Sequence, residues 1–264
     1  MNEHERALFS HLAVFRGDWT VEAAVEVAVA TLPALLALVD KSLVRLVSVG
    51  ARSTALPHAT ADSRFTLLEP IREYALEQLV LRGEAEALQR AHACYYLALA
   101  EAAAAQWDTP TAEALIRQLD RENDNLRAAL QWTRDGDHHT MRLRLAGALR
   151  KYWQSRGLIS EGRAWLAALL ARTDMNLDAA GMVARLQATQ AAAWLASNQH
   201  NFVQAGQLFE QCISLQRALR ETGGETQLLL TQPFRLVRWG ITSRRSDCWK
   251  RQSHSTAPGV IVAA

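Results

Sequence analysis

The sequence predicts a mainly α-helical chain in two parts: three short helices closed by a two-stranded wing, then a solenoid of stacked helical hairpins. Three observations predict it. Glycine (13) and proline (6) are scarce among 264 residues while alanine and leucine abound, so helix formers outnumber strand formers and breakers. The apolar period is helical almost throughout and falls to two only between residues 43 and 68. Near its end the pattern repeats, Ile159, Gly162 and Leu166 recurring as Phe202, Ala205 and Phe209 at an offset of 43 residues. That offset lies within the range of two-helix solenoids. A hydrophobic share of 49% with 21% charged residues excludes intrinsic disorder for most of the chain.

Each element has its own signal. Leu8, Phe9, Leu12 and Phe15 recur at helical spacing and Gly17 stops them, which predicts a helix over 3–15. Thr20 caps a second helix carrying Val21, Ala24, Val25 and Ala28. Thr31, with Pro33 two residues later, starts a third through Leu35, Leu36 and Leu38 to Asp40. Leu43, Val44, Leu46 and Val49 then alternate as a strand, residues 50–62 form a polar loop, and 64–68 return. A helix over 70–80 closes the unit. This is the order of a winged helix-turn-helix, assigned to residues 1–82. From Gly83 onward helices are expected over 84–106, 110–134, 138–155, 159–172, 178–198 and 202–221, a tetratricopeptide-like (TPR-like) region over 83–222. Residues 223–264 lose the helical period, and an unstructured or frame-shifted tail is expected there.

Charge and composition bound the function. The tail carries Arg235, Arg238, Arg244, Arg245, Lys250 and Arg251 against Glu225 and Asp247, so residues 1–222 are slightly acidic although the whole chain is +2. The body therefore lacks the basic footprint of a nucleic-acid binder. The cysteines Cys94, Cys212 and Cys248 form no CxxC pair, which fits a reducing cytosol, and no apolar run reaches the length of a membrane span. No export signal opens the chain, and a cytoplasmic protein is expected. GxSxG, HExxH and GxxxxGK[ST] are all missing, and no glycine is followed by lysine. His138 and His139 lack ligand spacing to other donors. A non-enzyme without cofactor or metal is the expectation.

Two surfaces are candidates for binding. The third helix reads TLPALLALVDK, so only Lys41 and Arg45, with Arg52 and Arg64 in the wing, could touch DNA phosphates. Weak, salt-sensitive binding is expected of Lys41, Arg45 and Arg64. Along 142–163, Arg142, Arg144, Arg150, Lys151, Arg156 and Arg163 could form a basic stripe, while Tyr152, Trp153 and Trp165 flank the turn at Gly157. Arg150, Tyr152, Trp153, Arg156 and Trp165 are the candidate contacts for a protein partner or small ligand. The polar run Asp120 to Asn125 is expected to punctuate a helix face, with Asn123 or Asn125 bonding between helices. The last hairpin, around Leu208, Phe209 and Leu215, is expected to expose apolar surface and favour self-association.

Five stretches carry a family resemblance: LFSHLAVFRGDWTVEAA (8–24), LVDKSLV (38–44), FTLLEPIREYALEQL (65–79), ENDNLRAAL (122–130) and LRKYWQSRGLISEGRAWLAALL (149–170). In this order they resemble the region that follows the nucleotide-binding module in bacterial NB-ARC/STAND-type regulators, signal-transducing ATPases with attached helical repeats. The resemblance implies a winged helix coupling a nucleotide switch to a ligand- or partner-sensing superhelix in transcriptional control. The chain departs from the family in lacking the phosphate-binding loop, so the ATPase is not carried over. The function expected is a non-catalytic regulatory and interaction module, with DNA binding through the winged helix as the alternative.

Overall fold

The computed structural model describes residues 1–47, 63–171 and 177–221. The loop 50–62 with Arg52, and the tail 223–264 with Cys248, lie outside the described residues. Helix α1 (Glu3–His11) starts with a capping box, Asn2 Oδ1 accepting from Glu5 N–H at 2.8 Å while Glu5 Oε2 accepts from Asn2 N–H at 3.0 Å. It tightens into a 3-10 turn, Leu12–Val14, and Gly17 reverses the chain at φ +70°. Thr20 and Thr31 cap the next two helices through their hydroxyls, as their positions predict, giving α2 (Val21–Ala28) and α3 (Leu32–Asp40). The chain bends by 106° between them.

The turn between α2 and α3 holds a strained residue. Val29 is left-handed at φ 52°, where it closes α2 while Ala30 N–H reaches back to Ala24 O at 3.1 Å. A β-branched side chain is disfavoured in that region, and Val29 is 79% exposed, so glycine would lose little burial there. Val29→Gly is expected to raise the unfolding free energy in urea by about 1 kcal/mol.

Three short strands make an antiparallel sheet in the order β1-β3-β2, with β1 at Asp18–Thr20, β2 at Arg45–Val47 and β3 at Arg64–Thr66. Phe65 faces Trp19 on one side and Leu46 on the other. The sequence predicts only β2 and β3. Strand β1 escapes the period-two pattern because it is three residues long, wedged between the Gly17 reversal and the Thr20 cap. Trp19 and Phe65 are fully buried.

Helices α4 (Glu69–Leu81) and α5 (Ala85–Ala105) follow across Gly83, which sits at φ +72°. Two expected helices are each broken. Residues 110–134 form α6 (Ala112–Arg121) and α7 (Asn123–Asp135), separated by Glu122, whose side chain is drawn into the interior. Residues 138–155 form α8 (His139–Ala148) and α9 (Arg150–Ser155), separated at Leu149. Then come α10 (Ile159–Leu170), α11 (Ala179–Asn198) and α12 (Phe202–Glu221). Helix α5 packs on α2, α7 and α8, and α11 packs on α8, α10 and α12. One continuous apolar core runs from Leu8 to Leu195, crossing residue 82 without a gap.

The two small positions of the sequence repeat lie at close approaches. A methyl group added at Gly162 would sit 2.5 Å from the Trp153 ring and 2.9 Å from a Leu195 methyl carbon, so only glycine allows that packing. Ala205 is fully buried with Ala193, Ala196 and Phe209. Among the described residues no single helix is long and apolar enough to cross a membrane.

Candidate functional site

Among the described residues, an extended polar network lies inside the protein. Arg64, at the start of β3, is 4% exposed. Its Nε donates to Asp18 Oδ2 at 2.8 Å, its Nη1 to Glu122 Oε1 at 2.6 Å and its Nη2 to the Asp18 carbonyl at 3.1 Å. Glu122 Oε2 accepts from Tyr96 Oη at 3.0 Å and from Asn125 Nδ2 at 3.2 Å. Asn125 completes the circuit, Nδ2 donating to the Asp18 carbonyl at 3.0 Å and Oδ1 accepting from Arg16 N–H at 2.8 Å. Burial opposes the Arg64 charge, but the hydrogen bonds and charges of Asp18 and Glu122 outweigh it and hold the guanidinium above its ordinary pKa. Burial, and then the neighbouring Glu122 carboxylate, pushes the Tyr96 phenol well up, so it stays a donor.

Aromatic rings wall this group. Phe15 stacks on Trp19 at 5.1 Å and meets His92 edge-on at 5.5 Å, and His92 lies 4.6 Å from Tyr96. Burial lowers the His92 pKa to about 4, only partly offset by its hydrogen bond to Asn125, so the imidazole is neutral at pH 7. The interhelical bond expected of Asn125 is the one to His92, 3.4 Å long and joining α7 to α5. Asn125 ties α7 to the Arg16–Asp18 turn, and Asn123 is not its equivalent.

The candidate DNA residues separate. Arg64 is corrected from a surface contact to a buried ion-pair partner, because acidic groups on β1 and at the α6–α7 break surround it. Lys41 is at the surface with Nζ 2.6 Å from Glu5 Oε1. Arg45 is exposed on β2. The outward residues of α3 are Thr31, Pro33, Leu36 and Asp40.

The candidate partner residues also separate. Tyr152 and Trp153 are each 2% exposed and belong to the hairpin core, since α10 lays Gly162 directly against the Trp153 ring. This corrects their assignment to a binding surface. Trp165 is half-buried with the Arg134 guanidinium 5.6 Å above its ring. Arg150 is half-buried, and its Nη1 lies 3.4 Å from Gln154 Oε1. Arg156 is exposed and grips Asp120 through one edge of its guanidinium, Nε donating to Oδ1 at 2.9 Å and Nη2 to Oδ2.

The basic stripe expected over 142–163 is dispersed. Arg142 is fully buried against His139, Arg144 pairs with Glu101 at 2.7 and 2.8 Å, Lys151 with Asp108 at 2.8 Å, and Arg163 bonds Gln199 and Gln204. Arg142 bonds within α8, while Arg144, Lys151 and Arg163 reach groups of other parts of the chain, so the residues do not present one cationic face. On α12, Phe209 is only 7% exposed against Trp194, and Leu208 and Leu215 are half-buried, so the apolar exposure expected there is small. The large apolar side chains exposed on that helix are Phe202 and Val203.

Open clefts flank the helices. One of about 560 Å³ lies between α5 and α8, lined by Arg90, Cys94, Glu101, His138, Thr140 and Arg144 among others. Another of about 670 Å³ runs between α11 and α12 beside Arg185, Glu210 and Leu215. Among the described residues no group of three or more histidine, cysteine or acidic side chains is placed to hold a metal ion.

No protein-family model matches the chain, and no solved structure matches it significantly. It is 34% identical over 212 residues to proteins of Mycobacterium bovis and Mycobacterium tuberculosis that carry the name HTH-type transcriptional regulator. The alignment covers 75% of this chain and 22% of each relative, so the chain spans about a fifth of the length of the curated relatives it matches. Over three quarters of its length the chain is thus similar to one stretch of much longer HTH-type transcriptional regulators.

Proposed function

We propose that this chain is a regulatory segment of an HTH-type transcriptional regulator, with a winged helix-turn-helix over residues 1–82 docked on TPR-like hairpins over 83–222. The similarity to regulators carries the transcriptional part of this reading. The bend of 106° between α2 and α3 across a three-residue turn supports a helix-turn-helix, whose helices cross at about 90–120°. The helical half offers a protein partner or small ligand the clefts between α5 and α8 and between α11 and α12, and, apart from these clefts, the half-buried Trp165 and Arg150 and the exposed Arg156. The NB-ARC/STAND-type resemblance supports the same role, a sensing segment beside a switch that other residues supply.

In this reading the segment is not catalytic and does not itself read bases. A recognition helix needs polar and basic side chains aimed at the groove. The outward residues of α3 offer threonine, proline, leucine and aspartate. The relatives' name favours a second reading, DNA binding through the winged helix with Lys41 and Arg45 on phosphates.

Fluorescence anisotropy with a labelled duplex separates the two. The first reading expects a dissociation constant no tighter than about 1 μM at about 0.15 M salt, changed less than about twofold by Lys41→Ala with Arg45→Ala. Submicromolar, salt-sensitive binding that the double substitution weakens by about tenfold would establish the second.

A further inference from the structure

We propose that the Asp18–Arg64–Glu122 network is a coupling joint, which fixes the three-stranded sheet to the α6–α7 break so that sheet and helical hairpins open as one unit. A displacement of that break is then transmitted to β3.

Placement is the first reason. Each member of the network belongs to a different part of the chain: Asp18 to β1, Arg64 to β3, Tyr96 to α5, Glu122 to the break itself and Asn125 to α7. Asn125 also holds Arg16 N–H and the Asp18 carbonyl, so the backbone leading into β1 is tied to α7 directly.

Energetics is the second. The Arg64 and Glu122 side chains are 5% and 4% exposed, and desolvating two such charges consumes much of what their attraction returns. A buried pair of this kind adds little net stability over apolar residues of similar volume. What it adds is direction. The apolar core shared across residue 82 is non-directional and tolerates small rotations, whereas charge-assisted hydrogen bonds at 2.6 and 2.8 Å are satisfied in one arrangement only.

The break is the third. Glu122 lies between two helices at φ −93° and ψ 7°, so α6 and α7 are not one rigid rod, and the side chain at their junction is the one held by β3.

Native-state hydrogen exchange on the full chain tests this. In the wild type, protected amides of β3 and α7 are expected to exchange through the same opening, with equal protection and equal denaturant dependence. Arg64→Met combined with Glu122→Gln keeps the volumes and the acceptor for Tyr96 while removing both charges. In that variant β3 amides are expected to exchange at least about tenfold faster, with α10, α11 and α12 within about twofold of wild type. Should the double variant fail to fold, Tyr96→Phe removes a single donor from Glu122 and is expected to speed β3 exchange by about three- to tenfold, again leaving α12 unchanged. Separate openings for β3 and α7 in the wild type, or variants that speed β3 no more than α12, would overturn the proposal.

Discussion

Replacing Glu122 by alanine is expected to destabilise the protein by about 3–5 kcal/mol, the largest effect of any single substitution outside the apolar core. Arg64 would then keep Asp18, whose side chain is 33% exposed, but lose the buried carboxylate 2.6 Å from Nη1. A guanidinium 5% exposed cannot recover that loss from water. Tyr96 and Asn125 would each lose an acceptor as well. Glu122→Gln, which retains both of those hydrogen bonds, is expected to cost less than the alanine variant. Urea unfolding of both variants checks the order. An alanine variant within about 1 kcal/mol of wild type would show that water enters the site and solvates Arg64.

Acidification is expected to remove about 2–3 kcal/mol between pH 6.5 and 4.5 through His92 alone. Burial depresses its folded-state value to about 4 from 6.5, so the unfolded chain takes up the proton first. The contribution is complete above pH 6.5 and is lost as the pH falls toward 4. Phe15, Tyr96 and Asn125 are the groups against the ring, and the Glu122 carboxylate is already committed to Arg64, Tyr96 and Asn125. Glu3, Glu5, Glu69 and Glu161 are held below their ordinary value of 4.5 by basic partners, so their losses begin near pH 4.5, at the lower edge of the window, and continue below it. Urea titrations at several pH values should show this slope in the wild type and a flat response in His92→Leu. An equal slope in both would assign the effect to another group.

Both expectations centre on a site that sequence reading passed over. Asp120 to Asn125 has the composition of a solvated turn, and Arg64, next to a polar loop, has the position of a surface cation. Neither pattern shows that the two stretches meet, because β3 and the α6–α7 break are 58 residues apart. The ENDNLRAAL stretch was a signal that could have pointed there. Its Glu122 and Asn125 are three residues apart, and both turn inward.

What the sequence determined by itself was local. Thr20, Thr31, Pro33, Gly17 and Gly83 set the helix boundaries, because a cap or a positive φ depends on a few adjacent residues. The apolar period placed most of the helices, and Gly162 announced a close approach that the Trp153 ring fills. Tertiary structure alone decided the rest: the third strand, the breaks at Glu122 and Leu149, the burial of Arg64, Tyr152 and Trp153, and the pairing of Arg144, Lys151 and Arg156 with acidic residues far along the chain. These depend on which distant side chain supplies a charge or closes a contact. A charge is stable inside only when its partner arrives from elsewhere in the chain, and residue order does not carry that distance.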